Sequence, residues 1–147
     1  MTDKDLKVFI DIICHYFEKT TRHAPELKEP VIELNQFRLL DYTGFIKISG
    51  NNQGWVYISM PKGMLLDVLN CMGESLSDRS ILLDSVGEIV SIITSNAREH
   101  FGAQFQISVP VTSAGKENAP ISHEMPRFLL PFSWREHQAY VGIALLA

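Results

Sequence analysis

Asp84, Glu88, Ser91, Ser95 and Arg98 recur at intervals of three and four residues within DSVGEIVSIITSNAREHF, the stretch from Asp84 to Phe101. At about 100° per residue this spacing gathers them on one side of a helix. The chemistry on offer there is that of two carboxylates, small hydroxyls and one guanidinium. Asp84 and Glu88 stand at i and i+4, where a carboxylate pair either shares acid–base work or is simply solvated. Ile92 falls within about 40° of Glu88, so an isoleucine interrupts the polar side. An acidic residue, hydroxyls and a β-branched apolar side chain one turn apart fit two arrangements. One is a solvated face with a single exposed apolar residue; the other is a surface made to meet a partner.

The other chemically capable residues form no constellation in the sequence. His15, His23, His100, His123 and His137 are scattered, no two of them at metal-ligand spacing beside a carboxylate or cysteine, so no metal site is expected. Gly50-Asn51-Asn52-Gln53-Gly54 lacks the Lys-Ser/Thr pair of a phosphate loop and leads into a strand pattern. There is no Gly-x-Ser-x-Gly elbow. Cys14 directly precedes His15, but neighbours on a helix point about 100° apart. Cys14 and Cys71 both lie in apolar helical patterns and read as reduced, structural thiols.

The polar side needs a helix to hold it, and the complementary stripe supplies one. Val86, Ile89, Val90, Ile93, Ala97 and Phe101 share the opposite face, with Ser77, Asp78 or Ser80 as caps and Gly102 as terminator. A first helix runs from about Asp3 to Thr20 through Leu6, Phe9, Ile10, Ile13 and Phe17, with Asp3 as an acidic cap. A second runs from about Pro61 to Met72, with Pro61 in its first turn and Gly73 beyond its end. Strand patterns cover Val31 to Leu34, Phe45 to Ser49, Trp55 to Ser59, Phe105 to Val111, Phe128 to Phe132 and Tyr140 to Leu146. The second and third of these make a hairpin around the Gly/Asn loop, whose residues tolerate positive φ. Thr112 to Met125, polar and containing Gly115 and Pro120, reads as a long mobile loop. Grouped helices and sequential strands imply an α+β fold: an antiparallel sheet of about six strands with three helices packed on it.

The chain's 147 residues, 46% hydrophobic and 20% charged, fit a single domain, 1–147, with a core of its own. A net charge of −4 and a pI near 5.7, with no basic run, argue against nucleic acid or an anionic membrane as partner. Asp11 interrupts the first apolar run, which excludes a signal-peptide core, and no stretch is long enough to span a bilayer, so a cytoplasmic protein is expected. The apolar ending Gly142 to Ala147 reads as a terminal strand that, left as a free edge, would aggregate. A homodimer paired through an edge strand is therefore expected.

DYTGFIKISGNNQGWVYISMPKGMLLDVLNCM, Asp41 to Met72, followed by DSVGEIVSIITSNA, Asp84 to Ala97, resembles the CheX-like branch of the CheC/CheX phosphatases of bacterial chemotaxis. The resemblance runs from the first helix to the terminal strand and implies the CheC/CheX-like form of the α+β fold and edge-strand dimerisation. It implies hydrolysis of the phosphoaspartate on a response-regulator receiver domain, with no cofactor of the protein's own and Mg²⁺ held by the phosphorylated regulator. In that family an Asn carboxamide orients the attacking water and a Glu engages a lysine of the regulator. Glu88 stands where the family glutamate stands, and Asp84 and Gly87 match its lead-in. Ser91 stands where the asparagine should be. A serine has roughly two fewer heavy atoms and a single rotating donor. Asn96 matches a further family asparagine, expected to make a structural hydrogen bond, and lies about 80° round from Glu88. The catalytic candidates are thus Glu88 and Ser91, and the partner-binding candidates Asp84, Glu88, Ile92 and Ser95. Three readings stay open: a phosphatase in which Ser91 positions water, a catalytically silent regulator-binding module, and a structural subunit outside phosphosignalling.

Overall fold

The computed structural model of the chain describes residues 1–34, 38–75, 78–115, 119–121 and 125–146. Its elements, in order, are α1 (Asp3–Thr21), β1 (Glu26–Leu27), β2 (Val31–Glu33), β3 (Tyr42–Gly50), β4 (Gln53–Met60), α2 (Lys62–Cys71), α3 (Arg79–Phe101), β5 (Phe105–Ile107), β6 (Val111–Ala114), β7 (Arg127–Trp134) and β8 (His137–Leu146). Among the described residues no helix is long and apolar enough to cross a membrane.

The first helix is capped by Thr2 and not by the expected Asp3. The Asp5 N–H donates to the Thr2 hydroxyl at 3.1 Å while the Thr2 N–H donates to the Asp5 carboxylate at 3.0 Å. This reciprocal box satisfies two amide donors that the first helical turn leaves open. At the other end Arg22 takes a left-handed φ of 66° and returns its N–H to the Glu18 carbonyl.

Among the described residues eight strands form one sheet in the order β1-β7-β8-β4-β3-β5, with β2 also beside β7 and β6 also beside β3, and every pair is antiparallel. The excess over the expected six has two sources. The two-residue β1 is too short to leave a periodic signal, and the run Phe105 to Val111 divides into β5 and β6. Pro110, which has no N–H to give a ladder, lies in that division. Ser108 bridges it, its hydroxyl accepting from the Lys47 N–H at 2.9 Å and its own N–H donating to the Lys47 carbonyl at 3.0 Å. The expected loop from Thr112 to Met125 therefore begins as strand as far as Ala114; residues 116–118 and 122–124, with His123, lie outside the described residues.

The β3–β4 hairpin pairs from Tyr42 against Met60 to Ile48 against Gly54. Its positive φ values fall on Gly50 (93°) and Gly54 (151°) rather than on the asparagines between them. The terminal strand β8 pairs with β4 on one side and β7 on the other. It is an interior strand, so the argument for a dimer from a free apolar terminus does not hold; the sheet edges are β1/β2 and β5/β6.

One sheet face carries the helices. Ile46, Ile48, Val56, Ile58, Leu130, Phe132, Val141 and Ile143 pack there against apolar residues of all three helices. On the other face a smaller cluster joins Phe45, Tyr57 and Leu129 to Leu39 and Ile121 from flanking segments. Gly44 fixes how deep α3 sits: a Cβ at this position would lie 2.7 Å from the Val86 carbonyl oxygen and 2.9 Å from Val90 Cγ1. Only a residue without a side chain lets the α3 backbone rest directly on β3.

Candidate functional site

Along α3, Leu82, Val86, Ile89, Val90, Ile93 and Ala97 are buried, while Asp84, Glu88, Ile92, Ser95 and Arg98 are exposed and Ser91 is half-buried. The two faces lie where the spacing places them. The helix begins after Asp78, whose side chain makes no capping bond; Ser80 lies inside the helix, and Ser77 is outside the described residues.

A second close approach holds the helix sideways. A Cβ at the buried Gly87 would meet Thr112 Cγ2 at 3.0 Å and Pro110 Cβ at 3.3 Å, so α3 abuts the start of β6 at the residue preceding Glu88. Glu88 and Ser91 thus stand one turn apart on a helix seated on β3 and wedged beside β6. The buried Thr94 donates its hydroxyl to the Val90 carbonyl at 2.7 Å and Ser85 to Ile81 at 2.7 Å. Among the described residues no hydrogen bond engages the Ser91 hydroxyl.

On the α1 side Glu88 lines a cavity of about 50 Å³ with Tyr16, Leu69, Met72, Ser85 and Ile92. Burial pushes the Tyr16 phenol up to about 12; a hydrogen bond with Thr20 opposes the rise and the Glu88 charge adds to it. Tyr16 is therefore a neutral hydrogen-bonding group at neutral pH. Past it, a groove of about 710 Å³ between α1 and α3 is lined by Asp11, His15, Tyr16, Lys19, Ile92 and Asn96 among others. Asn96 is exposed in that groove, and no hydrogen bond from it to another described residue supports the structural role expected for it. Sequence reading missed Tyr16 and the groove. The only signal was the i, i+4 pairing of Tyr16 with Thr20 and His15 with Lys19 on the polar flank of a helix taken as core alone.

Other chemistry has little footing. Cys14 and Cys71 are free, and burial, then Asp11 and Glu18, push the Cys14 thiol up, away from the thiolate a nucleophile needs. What α3 presents is a carboxylate able to take a cationic partner group, a half-buried hydroxyl able to hold a water, and an isoleucine 38% exposed beside them. These lie on the outer face of a helix, a geometry suited to a macromolecular surface more than to an enclosed small substrate.

Fold and site together define a two-layer α+β protein whose candidate residues ride on one outward helix face. The sequence model of the family described as chemotaxis phosphatase CheX matches residues 42–133, and the chain belongs to that family. Solved structures agree in fold. The chemotaxis protein CheX from Vibrio vulnificus is 22% identical, with 97% of this chain and 99% of that one covered and a TM-score of 0.84. A CheC-like superfamily protein from Shewanella sp. PV-4 is 23% identical over 100% of both chains with a TM-score of 0.85. The CheX–CheY–BeF3–Mg²⁺ complex from Borrelia burgdorferi matches at 19% identity, 97% of each chain and a TM-score of 0.76. No curated protein matches the sequence significantly.

Proposed function

We propose that this chain docks a phosphorylated response-regulator receiver domain on the outer face of α3 and hydrolyses its phosphoaspartate. The observation that carries the reading is the placement of Glu88 and Ser91, one turn apart and facing outward, on a helix fixed by Gly44 and Gly87. An acyl phosphate is already activated, so the chemistry needs chiefly a water held in line with the scissile P–O bond. Glu88 takes a cationic group of the receiver, Asp84 and Ser95 border the contact, and Ile92 supplies its apolar anchor. The Ser91 hydroxyl accepts from or donates to the attacking water, reaching it through a second water because its side chain is short. Mg²⁺ arrives on the phosphorylated regulator, and the chain supplies no cofactor. The reaction takes place where such regulators work, in the cytoplasm.

Ser91 also favours a second reading, in which the same face binds the regulator without turning it over. The structural likeness to the CheX of the CheX–CheY complex from Borrelia burgdorferi supports a receiver partner for either. Phosphate release from receiver domains of the same genome, phosphorylated with acetyl phosphate, separates them: the phosphatase reading requires release above the receiver's own rate, lost in Ser91→Ala.

The proposal includes a homodimer. Its support is the outer edge at β2, where Val31 (45%), Ile32 (63%) and the following Leu34 (56%) are exposed; among the described residues β2 pairs only with β7. Apolar side chains on a free edge favour pairing with a second copy.

A further inference from the structure

We infer a divalent transition-metal site, separate from the α3 face, formed by Asp67 of α2 with Glu136 of the β7–β8 turn and His137 at the start of β8. His137 Nε2 lies 2.6 Å from Asp67 Oδ2 and 3.8 Å from Glu136 Oε1, and one ligand atom from each of the three falls within 4.8 Å of the others. Zn²⁺ with bonds of about 2.0–2.2 Å in tetrahedral geometry sets its ligand atoms roughly 3.3–3.6 Å apart. The present spacings straddle that value. Shifts of the order of an ångström, chiefly in Glu136, would close three ligands on one ion and leave the fourth position to water.

The imidazole is held for this role. Its ring stacks on Trp134, centroids 6.2 Å apart and planes 17° apart. Gly63 leaves it room, since a Cβ there would stand 3.3 Å from His137 Cε1. The two-residue turn of Arg135 and Glu136 brings Glu136 next to the ring, with Arg135 at a φ of 52°. In the absence of metal the Asp67–His137 hydrogen bond holds the two ligands together; an ion takes its place between Nε2 and the carboxylate, with the ring as its Nδ1–H tautomer. The donor set decides the class. One imidazole and two carboxylates suit Zn²⁺ or Ni²⁺, whereas Mg²⁺ and Ca²⁺ prefer all-oxygen shells. Glu136 is 81% exposed and Asp67 32%, so the site is open and exchanges its metal readily. Bound metal cross-links the start of β8 to the middle of α2, the helix whose Leu69, with its C-cap residue Met72, lines the cavity beside Glu88.

Sequence spacing could not disclose this group, because Asp67 and His137 are 70 residues apart. The test is calorimetric titration of the full chain with ZnCl₂ and MgCl₂, accompanied by thermal melts. The expected result is one Zn²⁺ per chain, no Mg²⁺ binding, and a melting temperature that rises with Zn²⁺. His137→Ala abolishes the titration. Glu136→Gln, on an exposed turn that will fold, weakens it about tenfold. His100→Gln, which breaks a separate histidine–carboxylate pair with Asp5, leaves it unchanged. Absence of Zn²⁺ binding at millimolar metal, equal binding of Mg²⁺, or a titration indifferent to Glu136→Gln and His137→Ala overturns the site.

Discussion

At the level of single residues, Ile92 and Glu88 carry the docking proposal in different ways. Ile92 contributes buried apolar area once a receiver covers it, so Ile92→Asp both removes that area and strands a charge in the contact. Binding of a beryllofluoride-activated receiver should weaken about tenfold or more, measured by calorimetry, with the melting temperature of the free chain unchanged. The polar and apolar sides of α3 were legible in the sequence because a helix of 23 residues repeats its pattern several times over. What periodicity could not reach were contacts made across elements. Tyr16 stands beside Glu88, and Asp67 beside His137, only because the sheet brings α1, α2 and the β7–β8 turn to particular places. The cap at Thr2 was missed for a local reason: two acidic residues follow it, and the box depends on Asp5 turning back to the Thr2 N–H.

Among the elements, α3 is the one on which fold and function meet. Ile93→Ala should cost about 2–5 kcal/mol, since the side chain is fully packed between helix and sheet, whereas Glu88→Ala should stay within about 0.5 kcal/mol. Chemical denaturation checks the order; a more damaging Glu88→Ala would mean that the helix is rotated about its axis. The α1 cap is a pH-dependent element. Burial alone would raise the Asp5 carboxyl, but hydrogen bonds from the Thr2 N–H and the His100 ring outweigh it and hold the group below its usual 3.8. A carboxyl depressed in the folded state stabilises it at all pH values above the unfolded pKa, and that contribution disappears as pH falls through the folded value. Asp5→Ala should therefore cost about 1 kcal/mol at pH 7 and converge with the wild type near pH 2, followed by urea melts. Strand assignments were less legible than helices for a related reason. A three-residue strand such as β5 shows too little alternation, and only the three-dimensional register reveals that Ser108 bridges β5 and β6 across Pro110.

On the scale of the whole molecule, the α+β class followed from the grouping of elements, while strand order did not. Antiparallel neighbours need not be consecutive, and nothing in the apolar pattern of Tyr140 to Leu146 distinguishes an interior strand from an edge. The dimer proposal accordingly moves from the chain's end to β2. Light scattering at micromolar concentration should give twice the monomer mass, and Ile32→Lys, a charge on the exposed edge, should give the monomer; a monomeric wild type would remove the proposal. The central claim is that the α3 face acts on a phosphoaspartate, and one substitution addresses it most directly. Ser91→Asn rebuilds the Glu-x-x-Asn pair on the face already set by Gly44 and Gly87, lengthening the side chain by a carboxamide that holds donor and acceptor in fixed relation. Phosphate release from a ³²P-labelled cognate receiver, measured for wild type, Ser91→Asn and the double variant Glu88→Ala/Ser91→Asn, should rise about tenfold or more with the asparagine and collapse when Glu88 is also removed. A correctly folded Ser91→Asn chain that binds the receiver yet releases phosphate no faster than the receiver alone would contradict the account.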